Sequence, residues 1–232
     1  MKATRCFYGI GSAGMPSLFR EELVTFEFHS GFAKSQKIKN VLSMEQAVLE
    51  LHPNSKVLEV STGSPEILGQ RLSAFNLPIK YKGKVCSVEA AFQASKIFSD
   101  SGPHWDLLEK SSIDAKKDSR IKNLGTAVGY SYEGSTEIAN TPDAHFYDAL
   151  YIIALLQNQD LLEALSNYDF FTDTAFNKSK LGLQKNRSFN SQAKSCAIAA
   201  TIYKSQGKAG LKNQVDKWLT NPSQAAESLT LF

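Results

Sequence analysis

Cysteine is scarce in this chain. Cys6, Cys86 and Cys196 are the three in 232 residues, far apart and with no Cys-x-x-Cys pair. That pattern argues against a disulfide framework and for reduced thiols in a cytoplasmic protein. The four histidines, His29, His52, His104 and His145, show no ligand spacing, so no metal site is expected. No apolar run approaches the roughly 18 residues of a membrane span. The start, Met1-Lys2-Ala3-Thr4-Arg5, leads into Gly9-Ile10-Gly11 rather than an apolar core, so no secretory leader is expected. Neither sign of charge dominates, with 26 Lys+Arg against 23 Asp+Glu. The hydrophobic fraction of 42% is too high for a disordered chain. The length suits one large domain that buries a real core.

Charge distribution says more than net charge. Between Asp173 and Asp216 there is no acid, while Lys178, Lys180, Lys185, Arg187, Lys194, Lys204, Lys208 and Lys212 occur. A second acid-free stretch, Phe28 to Met44, carries Lys34, Lys37 and Lys39. Such stretches attract polyanions, and the attraction weakens as salt rises. A solvated helix face, balanced by acids elsewhere, is the competing explanation.

Residues 5–10 and 23–28 are rich in aromatic and β-branched residues and predict short strands. Gly9, Gly11 and Gly14 between them match G-x-G-x-x-G in form. A dinucleotide fingerprint needs a full helix next and an acid about 20 residues on. Pro16 to Leu23 leaves too little room, so a glycine loop in a hairpin-like connection is expected. A short helix is predicted over 40–51 with Ser43 as N-cap and Gln46 in the capping box. A strand is predicted over 56–61, a helix over 64–72 opened by Ser64-Pro65, and a hairpin over 79–85 turning at Lys82-Gly83. Further helices are expected from Ser87 to about Phe98, from Ser112 to Lys122, and as a pair around Asn158 spanning Asp143–Leu156 and Asp160–Leu165. Gln192–Lys204 and Leu211–Leu219 complete the set. The expected fold is α+β, a single domain over 1–220: a β-rich part to about 85, helices from 86, and a tail at 221–232.

In the helix opened by Ser87, the residues Val88, Ala91, Phe92, Ser95 and Phe98 share one face at helical spacing, which is core. Glu89, Gln93 and Lys96 share the adjacent face at i, i+4 and i+7. They form either a solvated stripe or the lining of a cleft, and periodicity cannot separate the two.

Leu72-Ser73-Ala74-Phe75-Asn76, then Gly83, then Ser87-Val88-Glu89-Ala90-Ala91-Phe92-Gln93-Ala94-Ser95-Lys96 closely resembles the hallmark of the NADAR family (YbiA-like). Further stretches resemble its branch associated with DarT-type DNA ADP-ribosyltransferase toxins. These are Phe26–Phe32 with Ser35-Gln36-Lys37-Ile38-Lys39, then Phe146–Tyr151, Tyr168–Asp173 and Phe189–Ser195. The resemblance covers about Thr25 to Lys204. Two departures stand out. The stretch from Phe176 to Asn190 is longer than the family's compact segment. Ala74 replaces the family's Asn, as in the toxin-linked branch, so that side chain is not carried over.

The resemblance implies a mostly helical core with short N-terminal strands and an N-glycosidic hydrolase of ADP-ribosyl groups. For the toxin-linked branch it implies removal of ADP-ribose from guanine in DNA, hence an antitoxin. The implied partners are ADP-ribosylated DNA, ADP-ribose as product and a DarT-type toxin, with no cofactor. Breaking the C1″–N bond builds positive charge on the ribose, so a fixed carboxylate stabilises it. Glu89 is the first choice for that role and Asp173 the second, as a water-orienting or ribose-binding acid. A lysine of lowered pKa could attack the anomeric carbon and form a Schiff base. The resemblance favours the segment Ser35, Gln36, Lys37, Lys39, without choosing between the two lysines. Arg120 and Lys96 are candidates for the pyrophosphate. Asn190 and Gln192 could bond ribose or phosphate, or serve as N-caps. Phe92 could stack on a base or belong to the core. Gln93 lies beside Glu89. The competing functions are an ADP-ribose or NAD-metabolite binding module, an N-glycosidase of riboflavin-pathway intermediates, and a nucleic-acid-binding protein without chemistry.

Overall fold

The strand-forming residues near the N-terminus pair as an antiparallel hairpin, β1 (Lys2–Ile10) and β2 (Phe19–Glu27), in register from Lys2 opposite Glu27 to Ile10 opposite Phe19. The computed structural model describes residues 1–11, 17–31, 33–133, 136–139, 145–176 and 190–220. Gly14 of the glycine motif lies outside that set. A hairpin rather than a strand–helix–strand unit follows β1, so the motif is no dinucleotide fingerprint. Gly9 has a packing reason instead: a Cβ there would sit 2.7 Å from the Phe170 ring.

The next helix, α1 (Lys34–Leu51), starts a turn and a half earlier than the sequence predicts, with Ala33 rather than Ser43 at its N-cap. Ser43 instead accepts from the Glu27 backbone N–H at 3.1 Å. Asn40 fixes the early start by bonding both ways to His29: the Asn40 oxygen accepts from the His29 N–H at 2.6 Å, and its amide donates to the His29 carbonyl at 2.9 Å. The buried positions of α1, Asn40, Val41, Met44 and Val48, form a stripe with helical period. β3 (Val57–Glu59) and α2 (Ile67–Leu72) follow. α2 opens after Glu66, not at Ser64-Pro65, because the Ser64 hydroxyl accepts from the Glu66 N–H in a local turn.

β4 (Pro78–Tyr81) and β5 (Lys84–Ser87) form the predicted hairpin, with Lys82 and Gly83 at positive φ, as a two-residue turn of this hand requires. α3 (Val88–Ala94) is capped by Ser87, whose hydroxyl accepts from Ala90 N–H. It stops four residues short of the expected end. The Ser95 hydroxyl bonds back to the Ala91 carbonyl, and Lys96–Ile97 leaves the helix as strand β6. The predicted helix over 112–122 is two, α4 (Ser112–Lys117) and α5 (Ser119–Asn123). Ser111 caps α4, and Asp118 breaks the run and caps α5 through Arg120 N–H. β7 (Gly129–Tyr132) and β8 (Thr136–Ala139) were not anticipated; β7 pairs with β6 and β8. α6 (Phe146–Gln157) and α7 (Gln159–Leu165) flank Asn158 as expected. β9 (Phe170–Thr172), also unanticipated, precedes α8 (Gln192–Thr220), which Gly207 interrupts at φ 64°.

The chain is α+β, in two compact units. The first comprises Met1–Ser73 with Asp160–Gly207; the second comprises Ala74–Gln159 with the chain from Lys208. The first unit carries the sheet β2-β1-β9-β3, in which β3 and β9 are parallel and the other pairs antiparallel. Phe7, Val24, Phe26, Met44, Val48, Val57 and Phe170 form its core. In the second unit α3 is buried all round, packed against α4, α6 and the β4–β5 hairpin. Among the described residues no helix is long and apolar enough to cross a membrane.

Candidate active site

In the second unit, the polar positions of α3 do not face solvent. Glu89 is 5% exposed and Gln93 4%. They sit one turn apart, and Gln93 Nε2 donates to Glu89 Oε1 at 2.8 Å. Lys116 on α4 places Nζ 3.4 Å from the same oxygen and 4.8 Å above the Phe75 ring. Lys96, though no longer on the helix, remains electrostatically tied to the group. Burial lowers its pKa to about 8, Glu89 opposes that shift and Lys116 adds to it. Its Nζ lies 5.1 Å from the centre of the Phe92 ring. The cluster is thus one buried carboxylate, held by an amide, with two amines around it.

Phe92 is 7% exposed and surrounded by Tyr130, Phe146 and Tyr147, with ring centres 5.1 to 6.4 Å away. It is core, the second of its two expected roles. Arg120 is committed elsewhere. Its guanidinium grips Asp106 with two nitrogens at 2.6 and 3.1 Å and Asp118 with two at 2.9 and 3.1 Å. Those bonds hold the carboxyl of Asp118 well below its usual range, and a pyrophosphate would have to displace both acids.

In the first unit, two acids gather at the carboxyl ends of the parallel pair β3 and β9. Glu59, 5% exposed, accepts from Ser61 Oγ at 2.8 Å, Thr172 Oγ1 at 2.6 Å, Thr174 Oγ1 at 2.8 Å and the Thr174 N–H. Thr172 reaches it because Glu59 and Thr172 are register partners. Asp173 is also buried, and that burial together with the nearby Glu59 charge raises its pKa to about 7; a hydrogen bond from Gln192 opposes the rise. Gln192, the first residue of α8, also accepts from Ser73 Oγ at 3.3 Å. Asn190 is half-buried two residues before it.

The two lysines of α1 part company on the helix. Lys37 stands four residues before Val41 and seven before Met44, in line with the buried stripe but itself exposed, while Lys39, also exposed, lies about 200° further round. A Cβ on Gly63 would lie 3.9 Å from Lys37 Cβ and 4.0 Å from its Cδ, so the Lys37 stem runs along the loop after β3. Ser35 is exposed and Gln36 half-buried in the first turn.

Sequence reasoning passed over Glu59 and Lys116. The signal for Glu59 was a carboxylate inside Val57-Leu58-Glu59-Val60, since a parallel strand buried on both faces reads as an apolar run. Lys116, in a Lys-Lys pair on a short helix, carried no such signal. Of the basic stretch after Asp173, Lys178, Lys180, Lys185 and Arg187 lie outside the described residues, as does most of the longer segment 176–190. Lys194 sits over the Phe19 ring and Lys204 faces Asp169 at 3.9 Å. A cavity of about 560 Å³ in the first unit, lined among others by Glu45, Lys56, Leu68 and Tyr168, contains none of the expected site residues.

A comparison with curated proteins found no match. A family model described as DarT1-associated NADAR antitoxin matches residues 3–225. That span takes in the capped helix bearing Glu89, the α1 lysines and the acids of β3 and β9, and the chain belongs to the DarT1-associated NADAR antitoxin family.

Proposed function

We propose that this antitoxin is an ADP-ribosyl glycohydrolase that removes ADP-ribose from guanine bases in DNA, reversing the modification made by its toxin. The observation that carries the reading is Glu89, a carboxylate buried on a helix with the Gln93 amide donating to one oxygen and the Lys116 amine beside it. A charge held in so dry a setting acts more strongly on a neighbouring cation than it would in water. The cation it is suited to is the ribosyl group as the C1″–N bond breaks. Lys96 and Lys116 are the amines available to the phosphates. The guanine nitrogen leaves with the bonding electrons and takes a proton, and Asp173 remains a candidate acid on the first unit.

The reaction also has a covalent form. A lysine amine bonds to C1″ as guanine leaves, the ribose ring opens to a Schiff base, and water releases the sugar and restores the amine. Our candidate for that amine is Lys37, because its stem lies against the loop after β3 whereas Lys39 points the other way. Ser35, Gln36, Asn190 and Gln192 remain candidates for ribose and phosphate contacts.

The test is incubation of the full chain with an oligonucleotide carrying one ADP-ribosylated guanine, with ADP-ribose and unmodified oligonucleotide quantified by liquid chromatography and mass spectrometry. Stoichiometric release with turnover supports the reading. Binding of the modified oligonucleotide without release makes the chain a recognition module, and salt-sensitive DNA binding that ignores the modification makes it a plain nucleic-acid binder; either result overturns the proposal.

A further inference from the structure

The Glu89–Gln93 pair has unspent acceptors. Gln93 Oε1 is buried and has no hydrogen-bond partner among the described residues. A native protein rarely leaves a buried carbonyl oxygen unpaired unless a ligand or water completes it. The amide cannot flip to hide the problem, because its NH₂ must face the Glu89 carboxylate, and an amide oxygen there would repel it. On Glu89, both contacts fall on Oε1; Oε2 accepts none among the described residues. Two acceptors therefore stand one helical turn apart, braced against each other by the 2.8 Å bond.

The two unpaired atoms, Gln93 Oε1 and Glu89 Oε2, are both acceptors, so at that point they select a donor-bearing group over a phosphate oxygen. Two neighbouring hydroxyls meet the requirement, each giving one hydrogen. A planar base edge also offers two donors, but Gln93 is almost wholly enclosed, which favours a small hydroxyl. We propose that Glu89 and Gln93 together hold the cis-diol of a ribose, Gln93 accepting from the 2″-hydroxyl and Glu89 from its neighbour, with Gln93 a specificity-determining residue for the sugar. This inference rests on the glycohydrolase reading. The 2″-hydroxyl is adjacent to C1″, and hydrogen bonds to it strengthen as positive charge builds there. The phosphates then fall to Lys96 and Lys116.

The experiment is calorimetric titration of the full chain with ADP-ribose, 2″-deoxy-ADP-ribose and dGMP, repeated on a Gln93→Met variant of similar volume that lacks the acceptor. The wild-type protein should bind ADP-ribose about tenfold or more tightly than the deoxy analogue, the cost of an acceptor left unpaired. Gln93→Met should weaken ADP-ribose by a similar factor and erase the preference. Equal wild-type affinities overturn the inference without any variant being needed. A preference that survives in the variant also overturns it, as does a variant that loses dGMP instead, which would make the base edge the recognised group. The oligonucleotide assay separates the two claims: hydrolysis without a diol preference removes the subsite alone, and a preference without hydrolysis removes the hydrolase alone.

Discussion

Replacing Glu89 by Gln keeps the side chain's shape and removes its charge. The new amide oxygen can still accept from Gln93, and the ion pair lost is to Lys116, whose side chain is 54% exposed. The lost attraction is offset by relief of the desolvation that opposes a buried carboxylate, so the net loss is under about 1 kcal/mol and the melting temperature should move by less than about 3 °C. The effect on rate is of another order. A carboxylate about 4 Å from a developing unit charge, at an effective dielectric near 20, stabilises it by about 4 kcal/mol. Each 1.4 kcal/mol is tenfold in rate, so kcat should fall about 10³-fold. The same substitution removes the influence that raises the Lys96 pKa, so Lys96 should titrate below its present value of about 8. Single-turnover release of ADP-ribose measures the first quantity, and NMR titration of the lysine side chains the second. Turnover within tenfold of wild type, in a folded variant, would refute the assignment of Glu89 to charge stabilisation.

Asp173 links the first unit to pH. Its folded pKa of about 7 lies above the ordinary aspartate value of 3.8, so the folded state holds this proton more tightly than the unfolded chain. The resulting stability is full below about pH 4 and is lost as pH rises through about 7. Asp173→Asn, which needs no proton, should therefore gain on wild type in thermal melts between pH 5 and pH 8, each tenfold difference in proton affinity being worth about 1.4 kcal/mol; a pH-independent difference would contradict the burial argument. Gly69→Ala should lower the melting temperature by about 10 °C, since the added Cβ would overlap the Glu59 carbonyl and overpacking of that kind costs about 3 kcal/mol. Borohydride trapping with substrate, followed by peptide mapping, should label Lys37 and spare Lys39; Lys37→Arg should abolish the adduct and Lys39→Arg leave it, and an adduct on Lys39 would reverse the choice. Turnover should persist in excess chelator, and its loss there would remove the lysine–carboxylate scheme.

The local signals in this chain were strong where the backbone itself imposes the geometry. Ser87 before Val88-Glu89-Ala90 marks a cap because a hydroxyl must take up a free N–H. Lys82-Gly83 marks a hairpin because such a turn requires positive φ at both residues. Where several backbone outcomes are open, tertiary contacts chose. Ser43 looks like a helix start, yet α1 begins earlier, because Asn40 can clasp His29 only if it is already helical. The α3 pattern continues to Phe98 on paper, yet residues 96–97 are claimed by pairing with β7.

What the sequence settled alone was the α+β class, the capped helix and its Glu-x-x-x-Gln face, and the resemblance that the family match bears out. What only the folded chain decided was the surroundings of each polar group. A period of 3.6 places Glu89 and Gln93 side by side but leaves open whether water or protein lies beyond them. That depends on α4, α6 and the β4–β5 hairpin closing around α3. The meeting of Glu59 with Thr172 and Asp173 is of the same kind, because strand pairing across more than a hundred residues creates it and no local pattern records it.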